Sequence, residues 1–512
     1  MIVAARDRLA AALGRSGWRG RAAVAAALGL AATLALPPYH AVILLVPAFA
    51  GLVLLVETAA DRRAAFAAGW WFGAAHFATG LYWIGHALLV DAERFAWMIP
   101  FAIGGLGAGL GLFAGAAALA AQALGRSAGI ALPPALGAAW FASEWLRGHV
   151  LTGFPWNLVG TAWTDLLPVA GIAAWVGLYG LGIVTVAIAG LAAVRNAALG
   201  ACIWGLFAVL QAAHWLPAGP GMPADEGDGP MLRLVQPDIP QSLKWDPRAR
   251  QAHLQLTADI SRAPGFERID HLIWPETATL FPLAADPAFR LDLATMVPED
   301  GYLLTGSTRI ERAPVLRAWN SLHALDAKGE IRATYDKFHL VPFGEYVPLR
   351  GLLPLERITV GPVDFSAGPG PRTIRLPGLP AFSPLICYES IFPGAVRHPT
   401  DRPDWILLAT NDAWFGASAG PYQHYAASRF RAIEEGLPVV RVANGGISAV
   451  IDGRGAVRAA LALGARTHVD VRLPPALPPP PYARAGDLLP AALALAALLA
   501  GWGLGLAAPR EG

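Results

Sequence analysis

Of the 512 residues, 55% are hydrophobic and only 15% charged, and mean hydropathy is +0.45; a soluble chain carries about a quarter charged residues. The net charge is +2 with no face-sized cluster of Lys or Arg, which argues against a nucleic-acid footprint. The two cysteines, Cys202 in an apolar run and Cys387 in a polar-flanked one, form no C-x-x-C pair, which argues against a structural disulfide and a zinc site.

The deficit of charge is concentrated in residues 22–216 and 488–508. A bilayer core of about 30 Å demands roughly 20 mainly apolar residues per helix. Stretches meeting this test lie near 22–37, 41–57, 65–90, 96–122, 128–146, 167–194, 197–216 and 488–508, so the expectation is a helical membrane domain of about eight spans. Arg6, Arg8, Arg15, Arg19 and Arg21 precede the first stretch, which reads as an uncleaved start-transfer helix because further spans follow at once. Basic residues in short loops set orientation. With a cytoplasmic N-terminus, the inner segments carry that cluster, Arg62, Arg63, Arg126, Arg195 and Arg510, and the outer loops only Arg94 and Arg147. Residues 217–487 then lie on the outer face, the periplasm of a Gram-negative cell. His76 and His86 read as bundle-facing or interfacial groups, Glu144 as a side chain snorkelling from a helix end, and Cys202 as an inert apolar residue. The glycines from Gly104 to Gly115 read as close helix packing.

The first linker is placed at 217–230, rich in Pro, Gly and acidic residues; a second, at 474–487, starts in a Pro run. Between them strands are expected at 232–235, 271–274, 302–307, 321–326, 382–387, 405–410, 439–443 and 449–451, and helices at 246–261, 286–297 and 423–435. Strands alternating with helices imply an α/β layer architecture for a catalytic domain at 231–473.

Three strand ends carry chemistry. Leu272-Ile273-Trp274-Pro275 is closed by Glu276, Tyr335-Asp336 by Lys337, and Leu385-Ile386 by Cys387. A thiol attacks as thiolate, and a nearby cation lowers its pKa from about 8.5. A carboxylate within reach takes the thiol proton and later that of a second nucleophile, while a Lys stabilises the oxyanion with the Tyr388 backbone N–H. Glu276, Lys337 and Cys387 are thus candidates for base, electrophile and nucleophile. His339 and His424 read as structural, because a carboxylate already fills the role of base. No Gly-rich phosphate loop and no metal-spaced cluster occurs, so neither cofactor nor metal is expected.

The segments WPE (274–276), YDK (335–337) and CYES (387–390) stand in the order and contexts of the nitrilase superfamily of carbon–nitrogen hydrolases. VQPDIPQSLKWD (235–246), KFHLVPFGEYVP (337–348), NDAWFG (411–416), GPYQH (420–424) and RVANGG (441–446), with spans before and after the domain, make the chain similar to the apolipoprotein N-acyltransferase family. The resemblance implies an α-β-β-α sandwich facing the periplasm, with Glu276 as base, Lys337 as oxyanion stabiliser and Cys387 as nucleophile. It implies supporting roles for Glu345, Tyr388 and Glu389, and places Trp245 near the substrate entrance. Thr152-Gly153-Phe154-Pro155-Trp156 resembles a family loop close to the lipid entrance, although an interfacial aromatic belt accounts for Phe154 and Trp156 equally well. Phe338 after the Lys and Asn157 after Pro155-Trp156 depart from the pattern and touch only head-group contact. The implied reaction moves an acyl chain from a phospholipid, phosphatidylethanolamine by expectation, through a Cys387 thioester to the α-amine of a diacylglyceryl apolipoprotein. The three residues alone also permit a membrane-tethered amidase, and a non-catalytic lipid-binding or transport protein is a further alternative.

Overall fold

The computed structural model describes residues 2–215, 228–279, 281–348 and 363–507. The chain divides into two compact units, one of Met1–Gly85, Trp97–Gly219 and Pro480–Gly512, the other of His86–Ala96 and Pro220–Pro479.

The first unit is helical. Its longer helices are Trp18–Leu34, Leu45–Glu57, Arg62–Gly80, Ile99–Ala128, Leu132–His149, Ala173–Leu191, Ala197–Trp215 and Leu488–Ala507, one in each stretch read as a span. Among the described residues, Ala92–Ala128, Ala173–Leu191 and Ala197–His214 are long and apolar enough to cross a bilayer, while Val42–Glu57 and Leu488–Leu504 are apolar but shorter. The other helices mix Ala and Gly with Arg19, Arg21, His76, Glu144 or Arg147, which lowers their hydropathy. Within the glycine-rich helix, Gly107 and Gly111 lie against the backbone of Arg62–Gly80, where a Cβ would meet backbone atoms at 2.8 Å. Gly104, Gly105 and Gly109 face open space. Close packing therefore explains only part of the glycine run.

Glu144 does not snorkel. It is 3% exposed, and its Oε1 accepts the Val159 N–H at 2.9 Å, because the chain after the helix folds back over it. Buried Arg147 donates to the carbonyls of Phe154 and Trp156. His76 faces the bundle, with Nδ1 3.0 Å from Thr33 Oγ1. Cys202 is exposed on its helix. The linker expected at 217–230 lies outside the described residues up to 227, as does Arg510.

Among the described residues, the second unit contains twelve strands in two six-stranded sheets. The first sheet uses β1 (Met231–Gln236), β2 (His271–Ile273), β3 (Tyr302–Glu311), β4 (Arg317–Asp326), β5 (Ile331–Asp336) and β12 (Thr467–Arg472). The second uses β6 (Ile374–Leu376), β7 (Leu379–Ile386), β8 (Trp405–Asn411), β9 (Val439–Asn444), β10 (Ser448–Ile451) and β11 (Val457–Leu461). Their orders are β12-β1-β2-β3-β4-β5 and β11-β10-β9-β8-β7-β6. Each has a parallel centre, β1-β2-β3 and β7-β8-β9, flanked by antiparallel strands.

The inner faces share one apolar cluster that joins Leu232, Leu234, Ile273 and Leu304 to Phe382, Ile386, Leu407 and Val440. The outer face of the first sheet packs Leu272, Trp274 and Leu303 with Ala258 and Leu293 of helices Arg250–Ser261 and Pro287–Ala294. The second packs Leu385, Ile406 and Val439 with Ala432 of helix Gly420–Glu435. The unit is an α-β-β-α sandwich.

Four strands lie outside the sequence expectation: β5, β6, β11 and β12. Their residues alternate with Arg, Asp or His, or are few, so the apolar signal is weak. The helix expected at 246–261 begins only at Arg250, after a separate turn Gln241–Lys244. Pro247 disfavours helical geometry at Asp246, which breaks the run.

Candidate active site

The three motif residues stand just beyond strands of the two sheets. β2 leads through Trp274-Pro275 to Glu276, followed by Thr277 in the left-handed region at φ 44°. Gly306 of β3 makes room for this turn, since a Cβ there would meet the Thr277 nitrogen at 2.3 Å. Lys337 follows β5 directly, its N–H bonded to the Asn320 carbonyl at 2.9 Å. Cys387 follows β7 at φ 52°, a conformation that non-glycine residues adopt at a cost of about 1–3 kcal/mol. The nucleophile candidate is thus turned out of its strand into a short helical turn, Cys387–Ile391.

All three side chains are buried, at 7%, 1% and 8% exposure respectively, so their charges act in a low dielectric. Lys337 Nζ lies 2.9 Å from Glu345 Oε2, whose oxygen also accepts the Val341 N–H at 2.8 Å. Burial alone would lower the Lys337 pKa, but the carboxylates of Glu345 and Glu276 outweigh it and hold the ammonium above its ordinary value. For Cys387, burial and the Glu276 charge push the thiol up, and Lys337 only partly offsets them. The expected effect of the cation is present in sign, yet desolvation dominates. The resting thiol therefore keeps its proton.

Asn320, in the middle of β4, joins the acidic residues: its Nδ2 donates to Glu276 Oε1 at 2.6 Å and to Glu345 Oε1 at 3.0 Å. Glu276 Oε2 is buried with no hydrogen-bond partner among the described residues. One oxygen of the carboxylate is thus held in place while the other stays open to accept a proton.

Glu389 connects the Lys and Cys loops. Oε1 accepts the N–H groups of Phe338 and His339 at 2.7 and 3.1 Å, and Oε2 accepts the Ile386 N–H at 2.7 Å and the Tyr335 hydroxyl at 2.9 Å. Burial pushes Glu389 up to about 7 despite Lys337 and these donors. His339 stacks on Phe392 with ring centroids 3.8 Å apart, and Tyr388 lies edge-on to both rings.

A second buried cluster reaches the Cys387 backbone. His424 Nε2 lies 3.1 Å from the Cys387 carbonyl and 3.0 Å from Ser390 Oγ, and its Nδ1 lies 2.9 Å from Asp412 Oδ1. Arg441 pairs with Asp412 Oδ2 and donates to Ser428 Oγ and the Ile447 carbonyl at 3.0 Å each. Burial opposes ionisation of Asp412, but Arg441 and His424 outweigh it and hold the carboxyl below its ordinary value.

Lys244, just before Trp245, is 3% exposed and donates to the Glu276 carbonyl at 3.0 Å. Trp245 is half-buried. Phe154 and Trp156 belong to the helical unit, where their rings stack 6.1 Å apart and Trp156 packs on Trp83 at 4.8 Å. Trp156 is only 4% exposed, so it is core there rather than part of an exposed belt. Also in that unit His40, Asp165 and His214 converge, with His40 Nε2 3.3 Å from Asp165 Oδ2.

The sequence reading missed Asn320, Lys244, Asp412 and Arg441. Asn320 left a signal, since Asn is depleted from strand interiors and stands here beside Trp319 in a long apolar hairpin.

Comparison with known proteins adds to this geometry. A family model described as the apolipoprotein N-acyltransferase N-terminal domain matches residues 28–191, and one described as carbon-nitrogen hydrolase matches 232–476. Apolipoprotein N-acyltransferase of Rhodopseudomonas palustris is 40% identical over 511 residues, covering 94% of each chain. That of Bradyrhizobium diazoefficiens is 41% identical over 516 residues, covering 94% of this chain and 95% of its own. Among solved structures, an amidase from Nesterenkonia sp. is 19% identical with a TM-score of 0.35, covering 50% of this chain and 93% of its own.

Proposed function

This chain belongs to the apolipoprotein N-acyltransferase family, and on that premise we propose that Cys387 carries the acyl group between the two substrates as a thioester. The chain is an acyltransferase of lipoprotein maturation. Supporting the assignment is the open Oε2 of buried Glu276, in one electrostatic group with a raised thiol at Cys387 and a fully charged Lys337.

In the first half-reaction Glu276 takes the Sγ proton and the thiolate attacks the sn-1 ester carbonyl of the phospholipid, taken as phosphatidylethanolamine. The carbonyl π electrons move to oxygen, where the Lys337 ammonium compensates the charge. On collapse the C–O bond breaks, and the glycerol oxygen leaves with the proton from Glu276 as lysophospholipid. In the second, the α-amine of the diacylglyceryl-cysteine acceptor attacks the thioester and gives its proton to Glu276. The C–S bond breaks, an amide forms, and the thiolate regains its proton from Glu276. Asn320 and Glu345 keep the Glu276 carboxylate and the Lys337 ammonium aligned, and Glu389 holds the Lys and Cys loops together. Tyr388 lines the site and Trp245 its entrance, while Phe154 of the helical unit serves lipid entry and Trp156 supports it from the core of that unit.

In the same reading residues 1–216 and 488–508 form an eight-span domain of the bacterial inner membrane with a cytoplasmic N-terminus. The catalytic domain, 231–473, works on the outer face between linkers 217–230 and 474–487. The Arg bias and the apolar helices support this topology. Both substrates are anchored in the outer leaflet, so a membrane-held thiol meets them at fixed height. An amidase working on small soluble amides has no use for such anchoring.

The test is to mix purified enzyme with labelled phospholipid and look for a hydroxylamine-sensitive acyl adduct by mass spectrometry. Wild type should acquire it on Cys387 and Cys387→Ala should not, although it still inserts in the membrane. An adduct on Cys387→Ala would remove Cys387 as nucleophile.

A further inference from the structure

The α/β unit contains a cavity whose lining includes neither Cys387, Lys337 nor the Glu276 side chain. Its polar walls are Lys244, Arg250, His253, Thr257, Thr277 and Asn444, with apolar side chains between them. Three are basic, and no carboxylate belongs to the lining among the described residues.

The neutral polar groups are largely occupied. Asn444 Nδ2 donates to the Ile239 carbonyl at 2.9 Å and to Asn411 Oδ1 at 2.8 Å, and Thr257 Oγ1 donates to the His253 carbonyl at 2.8 Å. The basic groups are not. Lys244 has a single partner among the described residues, the Glu276 carbonyl, so two of its three ammonium N–H groups are unspent. Arg250 Nε and His253 Nδ1 are buried atoms that also lack partners among the described residues. Arg466 bonds the carbonyls of Pro237 and Asp238 at 3.2 and 3.3 Å, and the nearby Asp246 accepts the Arg248 N–H of its own turn at 2.9 Å.

An ammonium taken out of water is costly unless its N–H groups are met, and no carboxylate hydrogen-bonds Lys244 among the described residues. Burial pulls Lys244 down to about 8, although Glu276 and Cys387 pull the other way. An arriving anion would relieve that cost. Converging Lys and Arg donors in a concave site match the oxygens of a phosphate group, and the carboxylates that act on it, Glu276 on Lys244 and Asp246 on His253, stand outside the lining.

We propose that Lys244, Arg250 and His253 form a phosphate-binding site, and that it receives the phosphodiester of the acyl-donor phospholipid. The proposal rests on the phospholipid reading above. The geometry suits it, because Lys244 bonds the backbone of the base residue itself, and a phospholipid carries its phosphate only a glycerol unit from the sn-1 ester. Phosphate held here would set the ester relative to Cys387 and make the attack effectively intramolecular.

The test measures Cys387 acylation by full-length enzyme in detergent with two donors, phosphatidylethanolamine and the phosphate-free p-nitrophenyl ester of the same fatty acid. In Arg250→Gln, at a half-buried position, the phospholipid-to-ester ratio of kcat/KM should fall about tenfold, the worth of one charge-assisted hydrogen bond. Lys244→Met should lower it at least as far. Calorimetry with inorganic phosphate should detect binding to wild type and weaker binding to both variants. A ratio and a phosphate affinity unchanged in both variants would overturn the proposal. Phosphate affinity lost with the donor ratio unchanged would uphold the anion site and overturn its assignment to lipid. If wild type formed no adduct with either donor, the thioester reading would fail, and the phosphate titration would still decide the site.

Discussion

Two clusters of buried charge approach Cys387, and they are completed to different degrees. Asp412 uses both oxygens, Oδ1 with Thr410 and His424 and Oδ2 with Arg441, and it sits below its ordinary pKa. Glu276 uses one oxygen, with Asn320, and leaves the other open. A carboxylate locked against a guanidinium is a poor base, because protonation would strand the buried cation. A carboxylate with a free lone pair inside a low dielectric can accept a proton at little structural cost. The closed cluster thus holds the Cys387 backbone through His424, and the open one leaves a carboxylate oxygen unpaired among the described residues, as the proposed base requires.

Substitutions that exchange these properties test the contrast. Glu276→Gln should lower kcat by about 10²–10⁴-fold, the usual worth of a general base, with the thermal midpoint in detergent nearly unchanged. A loss below tenfold would mean that the thiol proton leaves by another route. Asp412→Asn should do the reverse: it removes the Arg441 counter-charge and should cost about 3–5 kcal/mol in a denaturant titration of the folded enzyme. Unchanged stability with lost turnover would make Asp412 part of the chemistry instead.

Asn320→Ala frees both Glu276 and Glu345, and kcat should fall about tenfold, in line with the loss of hydrogen bonds to charged groups. A change confined to KM would assign Asn320 to substrate contact. Glu389 is shifted in the opposite direction from Asp412. Its folded pKa of about 7 stands above the ordinary carboxyl value of 4.5, so between these values the folded state keeps a proton that the unfolded chain has released. Stability should therefore fall as pH rises from about 4.5 to about 7 and then level off. Glu389→Gln should flatten that slope in a series of thermal midpoints, and an identical slope in wild type and variant would place the titrating group elsewhere. The smallest effect is expected at Phe154→Ala, a half-buried loop position: adduct formation should slow less than tenfold, and an unchanged rate would remove Phe154 from lipid entry.

Much of this was legible in the chain because the information is local. Glu276, Lys337 and Cys387 each follow an apolar run at a strand end, and the runs announce themselves by composition. The acyltransferase family, the apolar helices and the eight strongest strands were readable in the same way. Other features were hidden in long-range pairing. Asn320 reaches Glu276 across 44 positions, and Asn444 reaches the Ile239 carbonyl across 205. Lys244 looks like a surface lysine in sequence, and Glu144 like an interfacial one, until packing covers them. Desolvation is a property of neighbours in space, so the raised thiol at Cys387 and the pKa near 7 at Glu389 came only with the tertiary structure. The sequence by itself determined which ionisable groups and thiols exist and which strands end at them; the packed sandwich decided which stay charged, which are tied, and that Oε2 of Glu276 is left without a hydrogen-bond partner among the described residues.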